Sequence, residues 1–183
     1  FVLMASAHAA DDKPPLPLHT VEGYGGVAIT GSAYLVNPAA EDSYVGKPSI
    51  GGGLVMTENG QYFAFETLTM TLGDRIELGY GYNRLGLSSL NDDLRAATGA
   101  DIEDSVEMHN LNARLALLKE NAFNQGWTPA ITAGVHGKFN TTINEIDDRL
   151  GGVLESSGIE DQNGVDYTVY ATKLLKFMPR PLM

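Results

Sequence analysis

The sequence predicts an all-β protein, an antiparallel up-and-down β-barrel of the transmembrane kind with short helices in two long loops. Three observations carry that expectation. Apolar residues recur with period two, tight turns alternate with long connections, and the periodic segments are about ten residues long. Ten residues at ~3.3 Å each, tilted by ~45°, span roughly 23 Å, close to the ~25 Å apolar band of an outer-membrane barrel.

Taken in order, Phe1-Val2-Leu3-Met4-Ala5-Ser6-Ala7-His8-Ala9 reads as the end of a secretory signal, an apolar run closed by the small-x-small pattern Ala7-His8-Ala9. Residues 1–9 are therefore expected to be a signal-peptide remnant. Residues 10–20, which include Asp11-Asp12-Lys13-Pro14-Pro15, are expected to be a disordered leader. The glycine-dense stretch Gly23 to Gly31 and the Tyr34-Leu35-Val36 run place an N-terminal hairpin, broken near Gly31-Ser32, or a lumen plug over 21–48. Barrel strands are expected from 49 to 183, cut short at the C-terminus.

Within that region the strand at 75–83 is clearest. Ile76, Leu78, Tyr80 and Tyr82 lie on one face, with Arg75, Glu77, Gly79, Gly81 and Asn83 on the other. The pattern returns at 108–118, 127–140 and 165–172. Segment 61–72 switches faces between Phe65 and Leu68, which a bulge near Glu66 would explain. Asn59-Gly60 predicts a type I′ hairpin, in which both residues need positive φ, and Gly73-Asp74 predicts the next tight turn. The connections 85–106 and 141–164 are long. One carries a helix from Ser89 to Ala97 that Gly99 stops, and the other opens with the capping box Thr142-x-x-Glu145. If the strands form hairpins, both long loops share one rim, and parity demands that 10–48 contribute an even number of strands or none.

Composition narrows the function classes. With 183 residues the chain suits one domain. Twelve Lys and Arg against 23 Asp and Glu, a net charge of −11, exclude nucleic acid as a partner. No run of 18 apolar residues exists for a transmembrane helix, and zero cysteine removes disulfides and thiol chemistry. The charge is localised: residues 88–107 hold six acids and Arg95, and residues 141–166 hold seven acids and Arg149. Outside these two segments acids and bases balance.

Several strings resemble a known family. They are Arg75-Ile76-Glu77-Leu78-Gly79-Tyr80, Ile146-Asp147-Asp148-Arg149-Leu150-Gly151-Gly152, and Asn163-Gly164-Val165-Asp166-Tyr167 followed by Ala171-Thr172-Lys173, with Val21-Glu22-Gly23 ahead of them. Together they resemble domain-of-unknown-function family 3034, proteobacterial proteins regarded as outer-membrane β-barrels. The resemblance runs from about residue 20 to the C-terminus and implies fold and location, with further strands beyond Met183. It carries no catalytic residues.

The candidate functional residues follow from the polar face. Arg75, Glu77, Asn110, Asn112, Arg114, His136, Lys138 and Asp166 are expected to line a lumen, where a water-filled interior tolerates charge. Asp92, Asp93, Asp101, Glu103, Asp104, Asp147 and Asp148 crowd the two loops, where solvated charge is the simpler reading and divalent cations bridging to anionic lipid the functional one. Tyr80, Tyr82, Trp127, Phe139 and Tyr167 are expected in interfacial girdles. Gly23-x-Gly25-x-x-Ala28 lacks the strand and helix of a dinucleotide site, and no metal-ligand spacing, nucleophile elbow or cofactor motif is present. The expectation is a non-enzymatic protein of a Gram-negative outer membrane, reached by secretion across the inner membrane. Its surroundings would be lipid and lipopolysaccharide, and its activity passive passage of an unknown small solute. The alternatives are a non-conducting structural or adhesive surface protein with cation-binding acidic loops, and a soluble periplasmic β-barrel carrier.

Overall fold

The computed structural model describes residues 2–6, 18–158 and 161–174. In chain order the elements are β1 (Val2–Ser6), β2 (Gly26–Val27), β3 (Thr30–Gly31), β4 (Ser49–Met56), β5 (Tyr62–Leu72), β6 (Ile76–Gly86), α1 (Ser89–Thr98) and β7 (Ser105–Leu118). A short 3-10 turn at Ala122–Asn124, β8 (Ala130–Asn140), α2 (Ile143–Arg149), α3 (Val153–Ser156) and β9 (Asn163–Thr172) complete them. Strands β4 to β9 form an antiparallel meander in which every strand pairs with its sequence neighbour, and β1 adds beside β4. Among the described residues the sheet stays open, with β1 and β9 at its edges, so the expected closed barrel is not found.

Most strand positions follow from the period-two pattern, and several local expectations are corrected. The face switch in β5 needs no bulge, because its pairing with β4 and β6 is continuous through Glu66. Phe65 instead shares the buried face with Thr67, Thr69 and Thr71, while Leu68 is exposed. The bulge lies in β7, where Leu117 is the extra residue between the pairs Ala116–Thr132 and Leu118–Ile131. The Asn59-Gly60 turn is not type I′, since only Gly60 (φ +82°) is left-handed there; its N–H closes on the Thr57 carbonyl at 3.2 Å. Arg75 lies in the turn before β6 rather than within the strand. Trp127 lies in the loop before β8 and is exposed.

Helix α1 ends at Gly99 in the left-handed conformation, as expected. The capping box at α2 does not form: Thr142 makes no side-chain cap bond. Asn140 does the capping instead, its Oδ1 accepting the N–H groups of Thr142 (3.0 Å) and Ile143 (2.9 Å). The Thr142 hydroxyl accepts the Glu107 N–H, which ties the loop to β7. The two long loops then pack on each other through buried Leu87, Ile102 and Ile146, a small core of their own at one rim.

Where it is described, the segment from residue 18 is packed rather than a disordered leader, and its short hairpin stands apart from the seven-stranded sheet. His19 and Thr20 are already buried, so the packed segment starts before the boundary expected at residue 21. Residues 10–17 of the expected leader, Phe1 and residues 7–9 of the expected signal remnant, and the end of the strand region from 175 lie outside the described residues. Strands β2 and β3 form a two-residue ladder turning at Ala28-Ile29 rather than at Gly31-Ser32, and residues 18–37 lie across the polar face of the sheet.

Candidate functional site

The sheet is inverted relative to a water-soluble one. Its largest fully buried side chains are Arg114, His136 and Glu77, whereas Ile50, Leu68, Leu78, Leu111, Leu115, Leu117 and Val135 on the opposite face are exposed. The buried polar face is legible from the register. Thr71, Glu77, Arg114, Gly134 and Thr168 form one row across β5 to β9, and Thr69, Gly79, Asn112, His136 and Asp166 form the next.

Why these residues are polar follows from what covers them. Residues 18–37 contain almost no regular structure, so their buried backbone groups must find partners outside a ladder. Side chains of the sheet supply them. Glu77 accepts the N–H groups of Gly25 at 3.0 Å and Val36 at 2.5 Å, and Thr172 accepts that of Ala33 at 2.8 Å. Arg114 donates to the carbonyls of Gly25 (3.1 Å) and Ser32, Asn112 to Glu22, Thr69 to Gly23, Thr71 to Val36 and Thr132 to Ala33. The cover thus reads the sheet through its backbone, with Glu77 and Arg114 at the centre of the set. They form an ion pair at 2.8 Å with neither side chain exposed to solvent.

Glycine permits the close approach. A Cβ at Gly79 would stand 1.9 Å from the Gly23 carbonyl oxygen, and one at Gly81 would stand 2.5 Å from that of Glu22. The alternation of Gly79 and Gly81 with Tyr80 and Tyr82 therefore makes a floor on which the N-terminal backbone lies.

Aromatic and titratable groups complete the interior. The Arg114 guanidinium stands 5.2 Å from the Tyr24 ring centroid and 5.8 Å from that of Tyr170, whose hydroxyls are 3.1 Å apart. His136 is engaged at both nitrogens, Nδ1 with Asn112 Oδ1 (2.7 Å) and Nε2 with Thr168 Oγ1 (2.8 Å). Toward β9 the cover leaves a cleft of about 240 Å³, walled by Thr20, Glu22, Tyr24, Lys138, Asp166 and Tyr170. Lys138 bridges Glu22 and Asp166 there, at 2.8 Å each.

Seven of the eight expected lumen residues share this face. Arg75 does not: it is half-exposed at the turn, near Asp74, with a guanidinium nitrogen 3.4 Å from the Ala116 carbonyl. Glu77, Asn110, Asn112 and Arg114 are sealed under the cover, His136 is buried in the wall of the cleft, and of the seven only Lys138 and Asp166 reach solvent. The threonines of β5 were missed, although Thr67, Thr69 and Thr71 alternate with Leu68 and Met70 in the sequence. Tyr24 and Glu22 had no periodic signal, because the segment that carries them has no period.

The acidic-loop residues are separated by role. Asp147 accepts the N–H groups of Leu154 and Glu155 at the start of α3, Asp104 accepts the Asn91 amide, Glu103 pairs with Arg149 and Asp101 with Arg95. Asp92, Asp93 and Asp148 are surface-exposed or nearly so. Among the described residues, no three His, Asp or Glu side chains converge as a metal would require. At the opposite rim, burial pushes the Glu120 carboxyl up, but the Tyr34 hydroxyl (2.8 Å), Lys173 (3.1 Å) and the Leu174 N–H (3.0 Å) outweigh it and hold its pKa below the usual glutamate value.

A family model described as protein of unknown function, domain-of-unknown-function family 3034, matches residues 17–178. The chain belongs to this family. The match opens one residue before the first described residue of the cover and runs past β9, so it takes in strands β4 to β9 together with the segment packed on them and leaves out β1. No curated protein and no solved structure matches the chain.

Proposed function

We propose that this family 3034 protein is an outer-membrane β-barrel protein, and that it is a passive path for small solutes closed at rest by its N-terminal segment. The observation that carries the reading is the inversion of the sheet: ion pair, histidine and asparagines inside, aliphatic side chains outside. Exposed apolar side chains are stabilised by lipid and not by water, and a polar face under a hydrogen-bonded cover suits a lumen rather than a dry core.

Dimensions agree. From Met108 to Leu118, β7 carries one charge, the inward-facing Arg114. Those ten steps at ~3.4 Å give about 34 Å, or about 24 Å at a tilt of 45°. Aromatic residues sit at both ends of the band, as interfacial girdles do: Tyr82 and Phe139 toward the long loops, and Tyr44, Phe123 and Trp127 at the short-turn rim. On this reading the acidic loops face outward, toward lipopolysaccharide and its divalent counter-ions.

Planar-bilayer conductance tests the proposal. The full chain is expected to insert and to conduct weakly, and deletion of 18–48 to raise the conductance several-fold. Recovery of the protein in the soluble fraction without detergent overturns the membrane reading. A second reading, a non-conducting structural or adhesive surface protein, is favoured by the density of bonds between cover and sheet. It prevails if the protein inserts but the deletion variant also fails to conduct.

A further inference from the structure

We infer that the cleft between the N-terminal segment and strands β8 and β9 is a binding site for a small organic cation, an ammonium or guanidinium solute. The inference rests on the reading of the polar face as a solute path and names the class of solute that the path takes.

Charge comes first. Lys138 sits between two carboxylates, 2.8 Å from Glu22 and 2.8 Å from Asp166, so the triad carries a net charge of −1. An ionised carboxylate has about four lone-pair sites, and one ammonium with three donors leaves most of them on the pair unused. All three side chains reach solvent, with exposures of 23% for Glu22, 31% for Lys138 and 54% for Asp166, so an arriving solute meets them without rearrangement of the buried network. An anion would have to displace a carboxylate from Lys138 against the charge of the other. A cation joins the triad.

The facing wall is aromatic. Tyr24 and Tyr170 line the same cleft, and the protein already places a guanidinium near both rings, with Arg114 at 5.2 and 5.8 Å from their centroids. Rings and carboxylates together are the surroundings in which a partly desolvated cation is most favoured. The volume of about 240 Å³ lies below that of pockets for drug-sized ligands, which limits the solute to a small one. Lys138 is two residues from the end of β8, where the acid-rich connection begins, and the potential of that rim raises the local concentration of cations.

The test is calorimetric titration of the full chain in detergent micelles at low salt, with agmatine as the probe. Wild-type protein is expected to bind it. Asp166→Asn and Glu22→Gln are each expected to weaken binding about tenfold, and Lys138→Met, which removes the internal competitor, to tighten it about tenfold. The inference is overturned if wild-type protein does not bind agmatine, if the three variants leave binding unchanged, or if Lys138→Met abolishes it while Asp166→Asn strengthens it. Asp166 is half-exposed on an edge strand, so its variant reports even if the others misfold. Because binding is read in micelles, its failure is separate from a failure to conduct.

Discussion

Glu77 and Arg114 stand directly opposite each other on β6 and β7, 2.8 Å apart, and both are spent on the backbone of a segment 41 to 89 residues earlier in the chain. The carboxylate takes two of its N–H groups and the guanidinium two of its carbonyls. A buried pair ordinarily returns little net stability over an apolar replacement, because desolvation offsets the attraction. Here four backbone groups would also lose their partners, at ~1–3 kcal/mol for each one left unsatisfied.

Glu77→Ala is expected to destabilise the fold by ~3–5 kcal/mol, measured by urea unfolding in micelles. The double variant Glu77→Leu with Arg114→Met is expected to recover none of that loss. Full recovery would mean that the pair matters only to itself.

Gly79→Ala puts a methyl group into the Gly23 carbonyl and is expected to cost ~1–3 kcal/mol, with new proteolytic cleavage inside 18–48. Gly126→Ala, where a Cβ meets nothing within 4 Å, serves as the control and should stay within ~0.5 kcal/mol. Equal protection of both variants from protease would sink the account of the glycine floor.

Leu78 is 40% exposed in the middle of the apolar face. If that face meets lipid, Leu78→Arg costs ~2–4 kcal/mol in a liposome refolding equilibrium. A change within ~0.5 kcal/mol is what a water-facing position would give.

Glu120 supplies a pH dependence with a definite sign. Its folded pKa lies below its unfolded value, so its stabilising contribution is complete above the ordinary glutamate range and is lost as the pH falls through the folded pKa. The wild-type unfolding midpoint should therefore fall more steeply on acidification than that of Glu120→Gln. Parallel acid curves for the two proteins would remove Glu120 from the account.

Asn140→Ala removes two capping bonds from α2 and should cost about 1 kcal/mol in thermal unfolding. Thr142→Ala is expected to act instead through the Glu107 N–H, loosening the loop from β7. Hydrogen exchange at residue 107 separates the two effects.

The strands at 76–86, 105–118, 130–140 and 163–172 could be read from the chain alone, because a strand turns successive side chains to opposite faces and the pattern is written within ten neighbouring residues. The same locality made Gly99 visible as a helix stop and the two acidic segments visible as loops of one rim. Membership of seven of the eight candidates in one polar face follows from parity too. Arg75 escaped because parity cannot say where a turn ends and a strand begins. What lies on that face was decided elsewhere. The bonds that bring Gly25 to Glu77, Ser32 to Arg114 and Ala33 to Thr132 join residues separated by 52, 82 and 99 positions, through a segment with no period to announce its partners. Backbone geometry repeats locally and so leaves a trace in local sequence. Whether a polar face meets water or another stretch of its own chain is a matter of long-range closure, and only the fold decided that this face is covered by residues 18–37.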